Sequence, residues 1–356
     1  MTDNQYGGSK KTIVRLRLGF HCQLRLAELE QSFIQGSLPI DQIRDDFERV
    51  VWPNAKAMRA WCVGQAKHDV RAAILCSKLA GCAGYLLDQE HGRQLLIQWR
   101  EDAVEAIAGY LPEGRLPAET HADLVHDLLG HLSYLGYLHM TNGDMAKARA
   151  TLERTIREGL TYGDQSAAGV AHLHLAMVAI REEAPGRAEA DLRQALAVAD
   201  GNRSLMAASH NLLGVVVSDR GMDREAVTEY EEAARLFEEL NDRSGAATVY
   251  ANRCGSLLNL GRIDEAKQDL ERAEAIGVTL GSVQLRGLVQ VNWARLLWVT
   301  QGASREQIIS KLESARADFL QTGDKSQVRR VEKILEELAG SSSTDGDETP
   351  PAGSVE

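Results

Sequence analysis

An alanine, a large residue four places on and a small residue three places after that recur through the second half of the chain. The set is Ala148/Leu152/Thr155, Ala188/Leu192/Ala195, Ala226/Tyr230/Ala233, Ala266/Leu270/Ala273 and Ile308/Leu312/Ala315, stepping by 40, 38, 40 and 42 residues. Positions four and seven apart share one helical face, so each triplet reads as the buried stripe of a helix. Small residues at Gly136, Ala176 and Gly214 stand in the preceding segments, where a partner helix must approach closely. Glycine turns (Asn142-Gly143-Asp144, Arg220-Gly221, Leu260-Gly261-Arg262, Gln301-Gly302) separate the two helices of a pair. One helical hairpin has no core of its own, so a chain built this way must stack its hairpins. The prediction is an all-α fold, a right-handed α-solenoid of helical hairpins with a C-terminal capping helix. An apolar fraction of 44% with only 5% aromatics suits Ala- and Leu-rich helices better than a β-sandwich.

Read in order, residues 1–11 form a polar flexible arm and 12–118 an N-terminal helical region leading into the repeats. In that region Ile13 to Phe33 has helical periodicity, and Asp41 is placed to cap a second helix. Trp52-Pro53-Asn54 breaks the second helix, because the residue before proline avoids the α region. Leu111-Pro112-Glu113-Gly114-Arg115-Leu116-Pro117 is the clearest linker and marks a soft boundary. The array and its cap take 119–339, with first helices near 119–140, 165–182, 204–219, 244–260 and 283–299. Second helices fall near 144–159, 186–199, 223–239, 263–276 and 304–321. After each turn glycine, Asp or Ser is expected to cap the next helix. Val328, Val331, Ile334 and Leu335 face inward from the capping helix, and the charged Arg329, Arg330, Lys333, Glu336 and Glu337 outward. Residues 340–356 lack core-forming residues and read as a disordered tail.

The 356 residues carry 51 acidic and 40 basic side chains, a formal net charge of −11. That balance argues against nucleic acid as the main partner, since phosphate binding needs a basic face. No apolar run approaches the ~18 residues of a membrane span, and no charged-then-apolar leader opens the chain. No membrane association is expected, and the localisation expected is cytoplasmic. Five cysteines without metal spacing fit reduced thiols, and Cys62, Cys76 and Cys82 read as small core residues. No phosphate-binding G-x-x-x-x-G-K-[ST] stretch and no nucleophile motif occurs, so neither a cofactor nor catalysis is expected.

The Leu-Gly, Gly, Ala, Tyr/Leu, Ala spacing resembles the tetratricopeptide repeat, with Leu135-Gly136/Gly143/Ala148 and Leu213-Gly214/Gly221/Ala226 matching best. Units near 40 residues resemble the long-helix variety of bacterial signalling proteins and kinesin light chains. Upstream, Phe47, Trp52-Pro53-Asn54, Ala57 and Trp61, followed by Trp99-Arg100-Glu101 and Ala103, resemble the segment leading into the repeats of bacterial STAND-type ATPases. The resemblances imply a protein- or peptide-binding scaffold, a sensor, regulator or adaptor in bacterial signalling or defence. Its ATPase or effector partner would be a separate chain. Two other classes stay open: an obligate structural subunit of a complex or homo-oligomer, and an enzyme with an unrecognised site in residues 60–140.

In tetratricopeptide arrays that resemble this one, first-helix asparagines line a concave groove and can bond a peptide backbone through both donor and acceptor. Asn252 and Asn292, 40 apart at equivalent positions, match that placement; Asn211 is one position off, and His174 takes the equivalent place in the second unit. The alternative is that these side chains only bridge adjacent first helices. Arg253 and Arg295, with Arg243, Arg262 and Arg286, would make the groove positive and favour an acidic ligand, against an ordinary solvated face. His121, His126, His131 and His139 are spaced five, five and eight residues apart, so they share no face and do not read as a metal site. With His172 and His174 they are expected as surface or groove residues. Trp293 and Trp298 cannot share a face either, so one is expected in the core and the other exposed.

Overall fold

A computed structural model describes residues 10–340 apart from 36, 37, 83, 85, 86, 89, 90, 113, 200 and 323. The expected arm, except Lys10 and Lys11, and the expected tail beyond Gly340 lie outside the described residues. Helices and short turns account for everything described. The chain divides into two compact units, Met1–His174 and Leu175–Glu356. The linker at 111–117 lies within the first of them.

In the first unit α1 spans Lys10–Gln35, α2 Ile40–Asp46, α3 Trp52–Gln65 and α4 Val70–Gly81. Then follow α5 over Arg93–Ala108, α6 over Ala118–Thr141 and α7 over Met145–Tyr162. The expected break at Trp52-Pro53 is absent. Instead Phe47–Val51 form one π turn, with the Trp52 N–H bonded to the Phe47 carbonyl. Pro53 has no N–H for the Arg49 carbonyl and would crowd it, and widening the turn by one residue relieves both problems. Burial holds Trp52 helical against its local preference: it stacks on His91 at 4.2 Å and on Trp99 at 5.5 Å between ring centroids.

The regular hairpins show why small residues recur. A Cβ added at Gly136 on α6 would stand 2.4 Å from the side chain of Leu152 on α7, so glycine lets the two helices close. In the second unit Gly214 plays the same part beneath the ring of Tyr230, at 2.7 Å. Tyr230 is 2% exposed, and burying such a side chain contributes ~1.5–3 kcal/mol.

Helix α8, Gln165–Arg181, contains the division between the units. The second unit continues with α9 over Pro185–Ala197, α10 over Arg203–Asp219, α11 over Asp223–Glu239 and α12 over Arg243–Asn259. It ends with α13 over Ile263–Leu280, α14 over Val283–Val299, α15 over Arg305–Thr322 and α16 over Lys325–Gly340. Each helix from α10 onward packs on the next, and the first helices α10, α12 and α14 also touch in sequence. Val331 and Leu338 of α16 are buried with Phe319 and Leu312 of α15, as expected for a cap. Side-chain caps lie mainly at the turns between pairs: Asn202 accepts from Leu205 N–H, Asp242 from Gly245 N–H and Ser282 from Leu285 N–H. Asp144, expected to cap α7, makes no such bond.

Trp293 and Trp298 are both half-buried, correcting the expectation of one core and one exposed ring. They point to different neighbours. Trp293 packs on the cluster around Cys254 and Leu270 and donates from Nε1 to Glu274 at 3.2 Å. Trp298 packs on the core of the last hairpin.

Candidate functional site

The expected groove residues do not share one environment. Asn252 on α12 donates from Nδ2 to Oδ1 of Asn211 on α10 at 3.1 Å, so the two asparagines join adjacent first helices. Asn292 is 7% exposed and donates back to the Leu288 carbonyl of its own helix at 3.0 Å. Arg253 is gripped by both oxygens of Asp269, at 2.7 and 2.8 Å, and Asp269 is 2% exposed. Burial works against the Arg253 charge, but the bonds from Asp269 outweigh it and hold the guanidinium above its ordinary pKa. Its charge is therefore satisfied chiefly by Asp269 of its own hairpin, with Glu231 of α11 3.7 Å away. Arg262 and Arg286 are likewise taken, by Glu265 and Asp318. His174, in the first unit, lies 5.7 Å from the Tyr137 ring with its buried Nδ1 unpartnered among the described residues, and burial lowers its pKa.

Arg295 is different. Its Nη2 donates to the amide oxygen of Asn259 at 2.8 Å, and it forms no ion pair with any described residue. Its guanidinium lies across Gly255 of α12, where a Cβ would come within 2.8 Å of Nη1. Desolvation, then the like charge of Arg330, push its pKa down. Arg330, on the outer face of α16, is exposed and has no hydrogen bond or ion pair among the described residues. Opposite stand two carboxylates at the junction of α10 and α11. Asp223 accepts from Asn259 Nδ2 at 3.1 Å. Asp219 is exposed to solvent, yet desolvation raises its pKa, partly offset by Arg330. Asp219 and Asp223 thus lie within electrostatic reach of the two arginines.

The first helices of the second unit thus carry a polar seam: Asn252 to Asn211, Ser218 to Ser256 at 2.8 Å, Asn259 to Asp223, and Arg295 to Asn259. The seam ends beside two cations that form no ion pair with a carboxylate among the described residues. Sequence reasoning missed Asn259, Asp219 and Arg330. Asn259 stands two helical turns after Asn252 on the same face, a signal that was there to be read. Arg330 carried no such signal, since only packing of α16 brings it near Arg295.

The histidines of α6 correct another expectation. His131 and His139 are buried at 4% and 5% exposure, because α6 packs against both α5 and α7 and little of its circumference is free. His131 joins a buried chain: Arg100 Nη1 lies 2.9 Å from its Nδ1, and its Nε2 lies 2.9 Å from Ser77 Oγ. Ser77 Oγ in turn lies 2.8 Å from Asp127 Oδ2, and Lys78 Nζ donates to Oδ1 at 3.0 Å. A guanidinium only donates, so Nδ1 accepts and the ring proton sits on Nε2. His131 then donates to Ser77, whose hydroxyl donates to Asp127. This order is the reverse of an activated nucleophile, in which histidine takes the serine proton. Desolvation, then Arg100, depress the His131 pKa to about 3, fixing the neutral ring. Burial pushes the Cys76 thiol up to about 12 and raises Cys62 further, so both are protonated core residues. Among the described residues no group of three His, Cys, Asp or Glu side chains could hold a metal ion. No described helix is long and apolar enough to cross a membrane.

No family model matches the sequence, and no curated protein matches it. Solved structures do match its fold. A Rap protein complexed with Competence and Sporulation Factor is 15% identical, with a TM-score of 0.51 over 94% of this chain and 99% of that one. The apo form of RapI is 11% identical, with a TM-score of 0.50 over 72% of this chain and 95% of that one. A STAND protein with a tetratricopeptide repeat sensor from Pyrococcus horikoshii is 12% identical, with a TM-score of 0.46 over 95% of this chain and 51% of that one. The repeat register, the small-residue helix contacts and these likenesses together give the chain the all-α solenoid fold of tetratricopeptide-repeat proteins.

Proposed function

We propose that the chain is a non-catalytic scaffold that holds a protein or peptide segment in the hollow of its second unit. Arg295 and Arg330 take an anionic group of that segment, and the asparagine seam meets its backbone. The observation that carries the reading is Arg295 itself: a desolvated guanidinium laid over Gly255, tied to an amide rather than a carboxylate, beside a second unpaired cation. Neither guanidinium is hydrogen-bonded to a carboxylate among the described residues, although the charges of Asp219 and Asp223 reach them, and a carboxylate arriving there makes charge-assisted bonds in a partly desolvated setting. The Rap protein of the same fold, complexed with Competence and Sporulation Factor, supports ligand capture as a use of this architecture. A role as sensor, regulator or adaptor in bacterial signalling follows from that reading.

The test is fluorescence polarisation with a dye-labelled, glutamate-rich decapeptide and a lysine-rich control. The acidic peptide binds, the basic one does not, and Arg295→Gln or Arg330→Gln each weakens binding about 10-fold, as loss of a hydrogen bond to a charged group does. Equal binding of both peptides, or no effect of either substitution, overturns the proposal.

One observation favours the obligate-subunit reading. Val278, Leu280 and Leu320, near the ends of second helices in this unit, are 78%, 46% and 59% exposed. Light-scattering mass separates the two readings: a monomer that captures the acidic peptide fits the scaffold, and a stable oligomer that ignores it fits the subunit.

A further inference from the structure

The first unit contains a cavity of 410 Å³ between α1, α4 and α6. Small-molecule sites fall in the range of ~300–1,000 Å³ and combine apolar walls with a few placed polar groups. Here Phe20, Ile74 and Leu124 give the apolar walls, and Lys78, Asp123 and Asp127 the charges. Asp123 and Asp127 stand one helical turn apart on the same face of α6.

Their situations differ. Asp127 is fully engaged: Ser77 donates to one oxygen and Lys78 to the other. Behind Ser77 the chain through His131 to Arg100 runs into the core, so the Asp127 carboxylate is anchored from within. Lys78 is occupied by the same carboxylate. Asp123 is exposed and makes no hydrogen bond or ion pair with any described residue. The wall therefore has one unbalanced negative charge next to an apolar surface, beside an ion pair that is already complete.

We propose that this cavity binds a small organic cation, an amine or guanidine on an apolar body. Phe20, Ile74 and Leu124 receive the body and Asp123 receives the charge. An anionic ligand would have to take Lys78 from Asp127 and leave an anchored carboxylate unpaired, which disfavours it.

Isothermal titration calorimetry of the full chain with 2-phenylethylamine tests this, with 2-phenylethanol and 3-phenylpropionate as controls. The amine binds with a Kd below ~1 mM and at least 10-fold tighter than either control. Asp123→Asn weakens the amine at least 10-fold and leaves the thermal midpoint unchanged, because Asp123 is exposed and unpaired. Absence of amine binding, equal binding of 3-phenylpropionate, or an unchanged affinity in Asp123→Asn overturns the proposal.

Discussion

Gly136 and Gly255 both interrupt helices, where glycine costs up to ~1 kcal/mol relative to alanine. Gly136 makes room for Leu152, which is buried within its own hairpin, whereas Gly255 makes room for the far end of Arg295 from the next one. Alanine at 136 forces a buried leucine to move, so Gly136→Ala costs ~1–3 kcal/mol in urea unfolding. At 255 the contacted atom is the tip of a flexible side chain, which can swing away. Gly255→Ala leaves stability within ~1 kcal/mol of the parent, since helix propensity offsets the displacement. It weakens the acidic peptide about 10-fold, as Arg295→Gln does. A strongly destabilised Gly255→Ala protein would mean that Arg295 is fixed by packing and serves the fold. The role of Gly136 was legible because its partner lies within the repeat register. Gly255 falls one place after the small-residue register occupied by Cys254 and needed the neighbouring hairpin to explain it.

Helix ends show what spacing cannot distinguish. Gly143-Asp144 and Asn241-Asp242 look alike in sequence, a left-handed residue followed by a capping residue, and both precede helices. At Asp242 the side chain accepts from Gly245 N–H at 2.9 Å. The backbone returns in the same way at both, with Asp144 N–H bonded to the His139 carbonyl and Asp242 N–H to the Phe237 carbonyl, but the Asp144 carboxylate accepts from Asn142 instead of capping. Asp242→Ala therefore costs ~1 kcal/mol, the usual value of an N-cap. Asp144→Ala stays within ~0.5 kcal/mol, as surface changes do. Urea midpoints of the two variants decide it, and equal losses would mean that Asp144 caps in solution. Helix positions and the register of the array were read correctly from periodicity. The choice of turn that receives the cap was not, because it depends on a competing side-chain donor such as Asn142.

Across the molecule the two units differ in how they respond to protons. The repeat made the array legible, but the chain of Arg100, His131, Ser77 and Asp127 joins residues up to 54 apart, partly upstream of any regular spacing. That chain puts a neutral histidine in the first unit, where burial also lowers His139 and His174. Each folded pKa lies below the unfolded value near 6.5, so the unfolded chain takes up the proton first. Stability from these groups is complete above pH 6.5 and is lost as pH falls, for His131 down to about 3. One such group changes stability by at most ~1.4 kcal/mol per pH unit. In the second unit Asp219 is shifted the opposite way, raised by burial, so it opposes acid loss. Calorimetry at pH 7.5 and 5.5 should therefore give two transitions, as two compact units allow, with only one moving down on acidification. His131→Gln supplies an oxygen to accept from Arg100 and an N–H to donate to Ser77, but no group that titrates. It should reduce the shift of that transition while leaving the other in place. If both transitions move equally, or His131→Gln retains the full shift, the proton sensitivity does not reside in the buried chain, and the fixed neutral histidine is the premise to abandon.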